Sequence, residues 1–250
     1  MSELLHDEGS MYRGAGSQFT TTHWSVVLEA ARPDSPGSVE AFARLYRDYW
    51  YPLYSYVRRR GRDPAEAEDL TQDFFVSLFE RERLQGLERD GGRFRSFLLK
   101  ALQNFLSNEW NRATALKRGG GCAISSIEEI DAESRYLKEP ASENIEASFD
   151  RDWAFTVIEH AMEHLEKELE ASGRKEQFEK LKPHLQGDRN GRPYNEIAVE
   201  LGMSEGAVKV AVHRLRQRYR ELLRAEVGRT VGPDADISEE LHYLRQVLSG

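Results

Sequence analysis

The sequence predicts an all-α protein: two small helical domains joined by a flexible acidic linker, the second containing a helix-turn-helix. Three observations carry that expectation. Apolar residues recur at steps of three and four through most of the chain, the period of a helix with one buried face. Charged residues make up 31% of the sequence, within a composition rich in Leu, Glu and Arg, all good helix formers. Finally, the acidic stretch 121–148 lacks apolar periodicity and separates two patterned halves. At 250 residues and 39% hydrophobic, the chain can form two small cores. The expected organisation is an N-terminal extension over 1–37, a first domain over 38–120, the linker over 121–148, a second domain over 149–228 and an amphipathic C-terminal extension over 229–250.

Composition narrows the function classes. A formal net charge of −8 argues against indiscriminate coating of nucleic acid, yet Lys209 to Arg224 holds six Lys/Arg against the single acid Glu221. Basic charge is therefore local, as contact with DNA at a chosen place requires. The lone Cys122 excludes an internal disulfide and a multi-cysteine zinc site. No apolar run approaches the ~20 residues of a membrane span and no apolar signal core opens the chain, so a cytoplasmic protein without membrane association is expected. Nothing in the pattern calls for a cofactor.

Along the chain, Thr20–Thr22 read as a helix cap before the anchor Trp24. Phe42, Tyr46, Tyr49, Leu53 and Val57 then form one core face, with a kink or restart expected at Pro52 and Arg58 to Arg60 on a solvated end. Asp63, Pro64 and Glu66 announce the next helix as N-cap, first position and third position. On it Ala67, Leu70, Phe74 and Leu78 pack inward, while Glu68, Asp69, Gln72 and Asp73 gather outward as an acidic and amide patch that suits a basic partner. Taken alone, such a patch is more often an ordinary solvated face.

After Gly91-Gly92, the apolar positions Phe94, Phe97, Leu98, Ala101, Leu102 and Phe105 return to the same core. Lys100, Asn104, Ser107, Asn108, Asn111 and Arg112 form the outer stripe, amides able to pair with bases flanked by cations able to hold phosphate. Beyond the acidic stretch, a long helix through Phe149, Trp153, Val157, Ala161, Leu165 and Leu169 and a shorter one through Phe178 and Leu181 are expected under the helix-turn-helix.

The helix-turn-helix is the strongest local signal. Ile197, Ala198 and Leu201 mark its first helix, Gly202 supplies the turn and Ser204 caps the second helix. Val208, Val212, Leu215, Tyr219 and Leu222 form the expected buried stripe. Ser204, Glu205, Gly206, Lys209, Val210, His213, Arg214 and Arg218 are the candidate DNA-binding residues of this recognition helix, joined by Asn104, Asn108, Asn111 and Arg112 of the first domain.

With these pieces in place, the chain resembles bacterial RNA polymerase sigma factors of the extracytoplasmic-function type. Glu68-Asp69-Leu70-Thr71-Gln72-Asp73-Phe74-Phe75 is similar to that family's Glu-Asp-Leu-x-Gln-(Glu/Asp)-x-Phe motif, and Phe94-Arg95-Ser96-Phe97-Leu98 to its Phe-Arg-x-Trp-Leu. Trp50-Tyr51-Pro52-Leu53-Tyr54 and Lys117-Arg118-Gly119-Gly120-Gly121 resemble members abundant in planctomycete-like bacteria. The resemblance implies that Glu68, Asp69, Gln72 and Asp73 dock on core RNA polymerase. It further implies that the helix after Phe94 holds the opened −10 strand and that Tyr194 to Leu223 reads the −35 element. Core polymerase and promoter DNA are then the partners, with an inhibitory anti-sigma protein as a further candidate. Two departures stand out: Leu165 to Leu185 lacks the family's usual Leu-Pro segment, and Val210-Ala211 stands where Ser-Arg is commoner.

Two other readings compete. His160-Ala161-Met162-Glu163-His164 matches the H-x-x-E-H pattern of inverted zinc peptidases, but no third ligand segment accompanies it and an enzyme is not expected. A polymerase-independent helix-turn-helix regulator shares the recognition helix yet has no use for the Glu68–Asp73 patch or the amide stripe.

Overall fold

The computed structural model describes residues 37–79, 93–115, 127–139, 144–185, 192–231 and 236–249, leaving aside the side chains of 111–115 and 127–131. The expectations for Thr20–Thr22 and Trp24 and for 117–121 lie outside the described residues. Nine helices appear among those described: α1 Ser38–Arg59, α2 Pro64–Phe79, α3 Phe94–Ala115, α4 Ile127–Tyr136, α5 Ile145–Ala171, α6 Lys175–Leu185, α7 Tyr194–Leu201, α8 Glu205–Thr230 and α9 Ile237–Ser249. The described residues divide into two compact units, the first running to Ala154 and joined by residues 229–231, the second holding Phe155–Gly228 and α9.

In the first unit, α1 runs uninterrupted through Pro52, where a kink or restart was expected. From Asp48 to Val57 every residue of α1 is buried, so the helix is enclosed on all sides rather than along one face. Aromatic rings fill the space between the helices: Phe74 meets Phe105 at 5.7 Å and Tyr49 meets Phe94 at 5.2 Å, both edge to face. Asp63 caps α2, accepting from the backbone N–H of Glu66 at 2.8 Å. Thr71 completes the buried stripe Ala67, Phe74, Leu78, its hydroxyl satisfied by the Ala67 carbonyl at 2.7 Å, while Leu70 is only half-buried.

Within the acidic stretch expected as a flexible linker, the described residues contain α4, and two carboxylates of the stretch pair with Arg58 and Arg59, which were expected on a solvated helix end. Arg58 donates to Glu133 at 2.9 and 2.7 Å, and Tyr54 donates to the same carboxylate. Arg59 pairs with Glu139 and with Asp152, the latter at 2.8 Å, and Tyr51 donates to Glu139 at 2.6 Å. Phe149 packs on Tyr56 and Trp153 lies under the Arg95 guanidinium at 4.3 Å, so both belong to the first unit rather than beneath the helix-turn-helix. The unit therefore extends well past 120. The reason is charge balance: Arg58 and Arg59 at the end of α1 take counter-ions from Glu133, Glu139 and Asp152, while Arg60 is exposed and donates to the Tyr56 hydroxyl.

In the second unit, Val157, Ala161, Leu165 and Leu169 of α5 and Phe178, Leu181 and Leu185 of α6 are buried with Ile197 and Ala198 of α7. Gly173, at φ 72°, ends α5 with the backbone of Arg174 bonded to the Leu169 carbonyl at 2.8 Å. The stripe on α8 is Val208, Val212, Leu215, Tyr219, Leu223 and Val227; Leu223 replaces the expected Leu222 because a period of 3.6 drifts past the strict four-three rhythm. Asp236 caps α9 through the N–H of Ser238 at 2.7 Å, and of the apolar residues expected to bury there, Leu244 is fully enclosed.

Candidate nucleic-acid and polymerase interfaces

Three surfaces carry the predicted residues. The first lies on α2, where Asp69 and Asp73 are exposed and Glu68 and Gln72 are half-buried, all on the side away from Ala67, Thr71 and Phe74. The Asp73 carboxyl is pushed above the usual carboxylate range by partial burial, then by the charges of Asp69 and of Glu109 on α3. Crowded negative charge of this kind is relieved by an incoming cation. Glu109 was not anticipated, because its place on α3 says nothing in sequence about a neighbour on α2.

The second surface is the outer face of α3. Lys100, Asn104, Ser107 and Asn108 are exposed together, as a helical stripe requires; the side chains of Asn111 and Arg112 lie outside the described residues. Trp110, absent from the predicted set, is 59% exposed on the same helix, with the Arg62 guanidinium over its ring at 5.5 Å. An exposed indole among amides and cations offers a stacking platform for an unpaired base. The motif residue Arg95, by contrast, is buried: its Nε donates to Asp150 at 3.0 Å and it ties α3 to the start of α5.

The third surface is the helix-turn-helix. Gly202 adopts φ 62° and ψ 32° at the end of α7, a conformation that glycine reaches without strain, and its N–H closes onto the Ala198 and Val199 carbonyls. Ser204 Oγ accepts from the N–H of Ala207 at 3.2 Å and so starts α8. Ser204, Glu205, Gly206, Lys209, Val210, His213 and Arg214 are all exposed on the first turns of α8. Lys209 is paired with Glu205 at 2.7 Å, whereas no hydrogen bond or ion pair among the described residues engages Arg214 or His213. Val210 places an isopropyl group, 50% exposed, in the middle of this polar face.

Arg218 is held differently. Its guanidinium makes a two-pronged pair with Glu168 of α5 at 2.9 and 2.6 Å and a third bond to Glu221 at 2.8 Å. Those bonds hold Arg218 more firmly in its charged form than an ordinary arginine, and they turn it toward α5. Arg216 likewise serves the fold, donating to the His184 carbonyl at 2.9 Å. His164, part of the zinc-like pattern, has Nδ1 at 2.8 Å from buried Glu226, and no group of three or more His, Cys, Asp or Glu able to hold a metal occurs among the described residues.

Comparison with protein families finds a sigma-70 region 2 over residues 45–115 and a sigma-70 region 4 over residues 188–218. The two matched regions indicate a sigma-70 family sigma factor of the extracytoplasmic-function type. Such a factor directs promoter recognition with core RNA polymerase, and it is a DNA-binding initiation factor rather than an enzyme. The polymerase-independent regulator is not favoured, because region 2 covers the α2 patch and the α3 face that such a regulator has no use for. No curated protein and no solved structure matched the chain. No helix among the described residues is long and apolar enough to cross a membrane.

Proposed function

We propose that this sigma factor divides its work among the three surfaces. The Glu68, Asp69, Gln72 and Asp73 patch docks on a basic surface of core polymerase. Asn104 and Asn108 with Lys100 hold the opened −10 strand. The first turns of α8 read the −35 element in the major groove, with Arg214, His213 and Val210 facing the bases and Lys209 near phosphate. The observation that carries the reading is the pairing of two separate exposed faces, acidic on α2 and amide-rich on α3, within the one matched region 2.

Cytoplasmic location follows from the partner, since core polymerase works there. An inhibitory anti-sigma protein is the natural means of holding such a factor idle, and a kinship with planctomycete-like members rests on the Trp50–Tyr54 and Lys117–Gly121 segments. The test concerns the strand-holding face. Replacing Asn104 and Asn108 together with Ala should slow or abolish open-complex formation, followed with a base-unstacking fluorophore, while affinity for core polymerase stays unchanged. Equal strand opening by mutant and parent would reduce the stripe to solvated surface.

A further inference from the structure

A cavity of about 730 Å³ opens beside the amide stripe, lined by Arg60, Arg62, Lys100, Gln103, Trp110 and Glu146. Lys100, Gln103 and Trp110 come from α3 and Arg60 and Arg62 from the turn after α1, but Glu146 comes from the first turn of α5, beyond the region matched to the family. It is a carboxylate where a site for DNA calls for cations, and it is held in place. Asn144 caps the helix start through the N–H groups of Glu146 and Ala147 at 3.1 and 3.0 Å, and Asp150 and Phe149 one turn later anchor the same helix on Arg95 and Tyr56. Gln103 donates to Glu146 Oε1 at 3.0 Å, while Oε2 has no partner among the described residues.

Resting on the reading that this side of the first unit meets the opened strand, we propose that the cavity takes one unpaired guanine nucleotide and that Glu146 selects the base. The chemistry is that of edges. Guanine alone presents two adjacent donors, N1–H and the N2 amino group, on its pairing edge. Adenine and cytosine set an acceptor beside their one amino group, and thymine flanks its one N–H with two carbonyls. A carboxylate accepts only, so it gains two bonds from guanine and meets a repelling lone pair on the others. Trp110 supplies the stacking surface, and Arg60 and Lys100 supply phosphate contacts, while Arg62 pairs with Glu66 and lies over the Trp110 ring. The volume lies within the range of small-ligand pockets.

The test uses the full chain and labelled heptadeoxynucleotides of thymine with guanine, adenine, cytosine or thymine at the centre. The guanine strand should bind about ten-fold tighter than the others, the scale of one two-bond base contact. Glu146→Gln should erase that preference, because the amide offers one donor and one acceptor, and Trp110→Ala should weaken all four strands alike. Guanosine monophosphate as competitor separates the two sources of such a ligand: displacement at concentrations near those of the guanine strand assigns the cavity to a free nucleotide, and failure to displace assigns it to the strand. Equal binding of the four strands by the parent, binding of none, or an undiminished preference in Glu146→Gln would overturn the proposal. The broader strand-holding reading is judged separately, by strand opening in the Asn104 and Asn108 double mutant.

Discussion

At the scale of single residues, position on α8 separates arginines that look alike in sequence. Arg214→Ala should cost ~1–3 kcal/mol of preference for the factor's own −35 sequence over a scrambled one, the value of a base contact, measured by titrating labelled duplexes at several salt concentrations. Arg218→Ala should leave that preference intact and lower the stability of the second unit by about 1 kcal/mol or less, since its ion pairs are half-exposed. Asp152 makes a pH prediction. Burial, and then the nearby charge of Glu139, push its carboxyl up to about 6, against the opposing pull of Arg59. A raised carboxyl binds its proton more readily folded than unfolded, so this group favours folding at low pH, and that contribution is lost as pH rises from the unfolded value near 4 through about 6. Glu133 works the other way, because the hydrogen bond from Arg58 lowers its pKa and its contribution disappears as the solution becomes more acidic than its ordinary value. Thermal unfolding of the first unit should therefore shift upward between pH 7 and pH 5, and Asp152→Asn should flatten that shift.

At the scale of elements, the end of α1 shows what pattern reading can and cannot deliver. The helix-turn-helix was legible because each of its devices is local: Gly202 for the turn, Ser204 for the cap, and a buried stripe along α8 that matched to within one residue. The α2 patch and the α3 stripe were legible as faces for the same reason. Arg58 and Arg59 were misjudged as solvated because their partners, Glu133, Glu139 and Asp152, stand 75 to 93 residues away along the chain. Helical period says nothing of such pairings; the only signal was a cationic run and an acidic run in the same chain. Arg59 is the centre of this contact, its side chain 7% exposed and that of Asp152 1% exposed. Arg59→Ala leaves two acids without their cation and should cost about 3–5 kcal/mol in the denaturation of the first unit. Arg59→Met combined with Asp152→Leu should recover much of that loss, because matched apolar groups can replace a buried pair.

At the scale of the whole molecule, the chain is acidic overall yet presents a basic helix, α8, and an acidic face on α2, and the central proposal is that this acidic face meets core polymerase. Asp69 and Asp73 are exposed on α2, and the charges of Asp69 and Glu109 add to that of Asp73. Changing both to Arg should leave the helical circular-dichroism spectrum and unfolding midpoint close to those of the parent, because neither side chain is in the core. The most direct measurement is a titration of labelled core RNA polymerase with the full chain and with this double variant. The parent should form a saturable one-to-one complex and the variant should show at least a hundred-fold weaker binding, about 2.8 kcal/mol or more; undiminished binding of a folded variant would contradict the account.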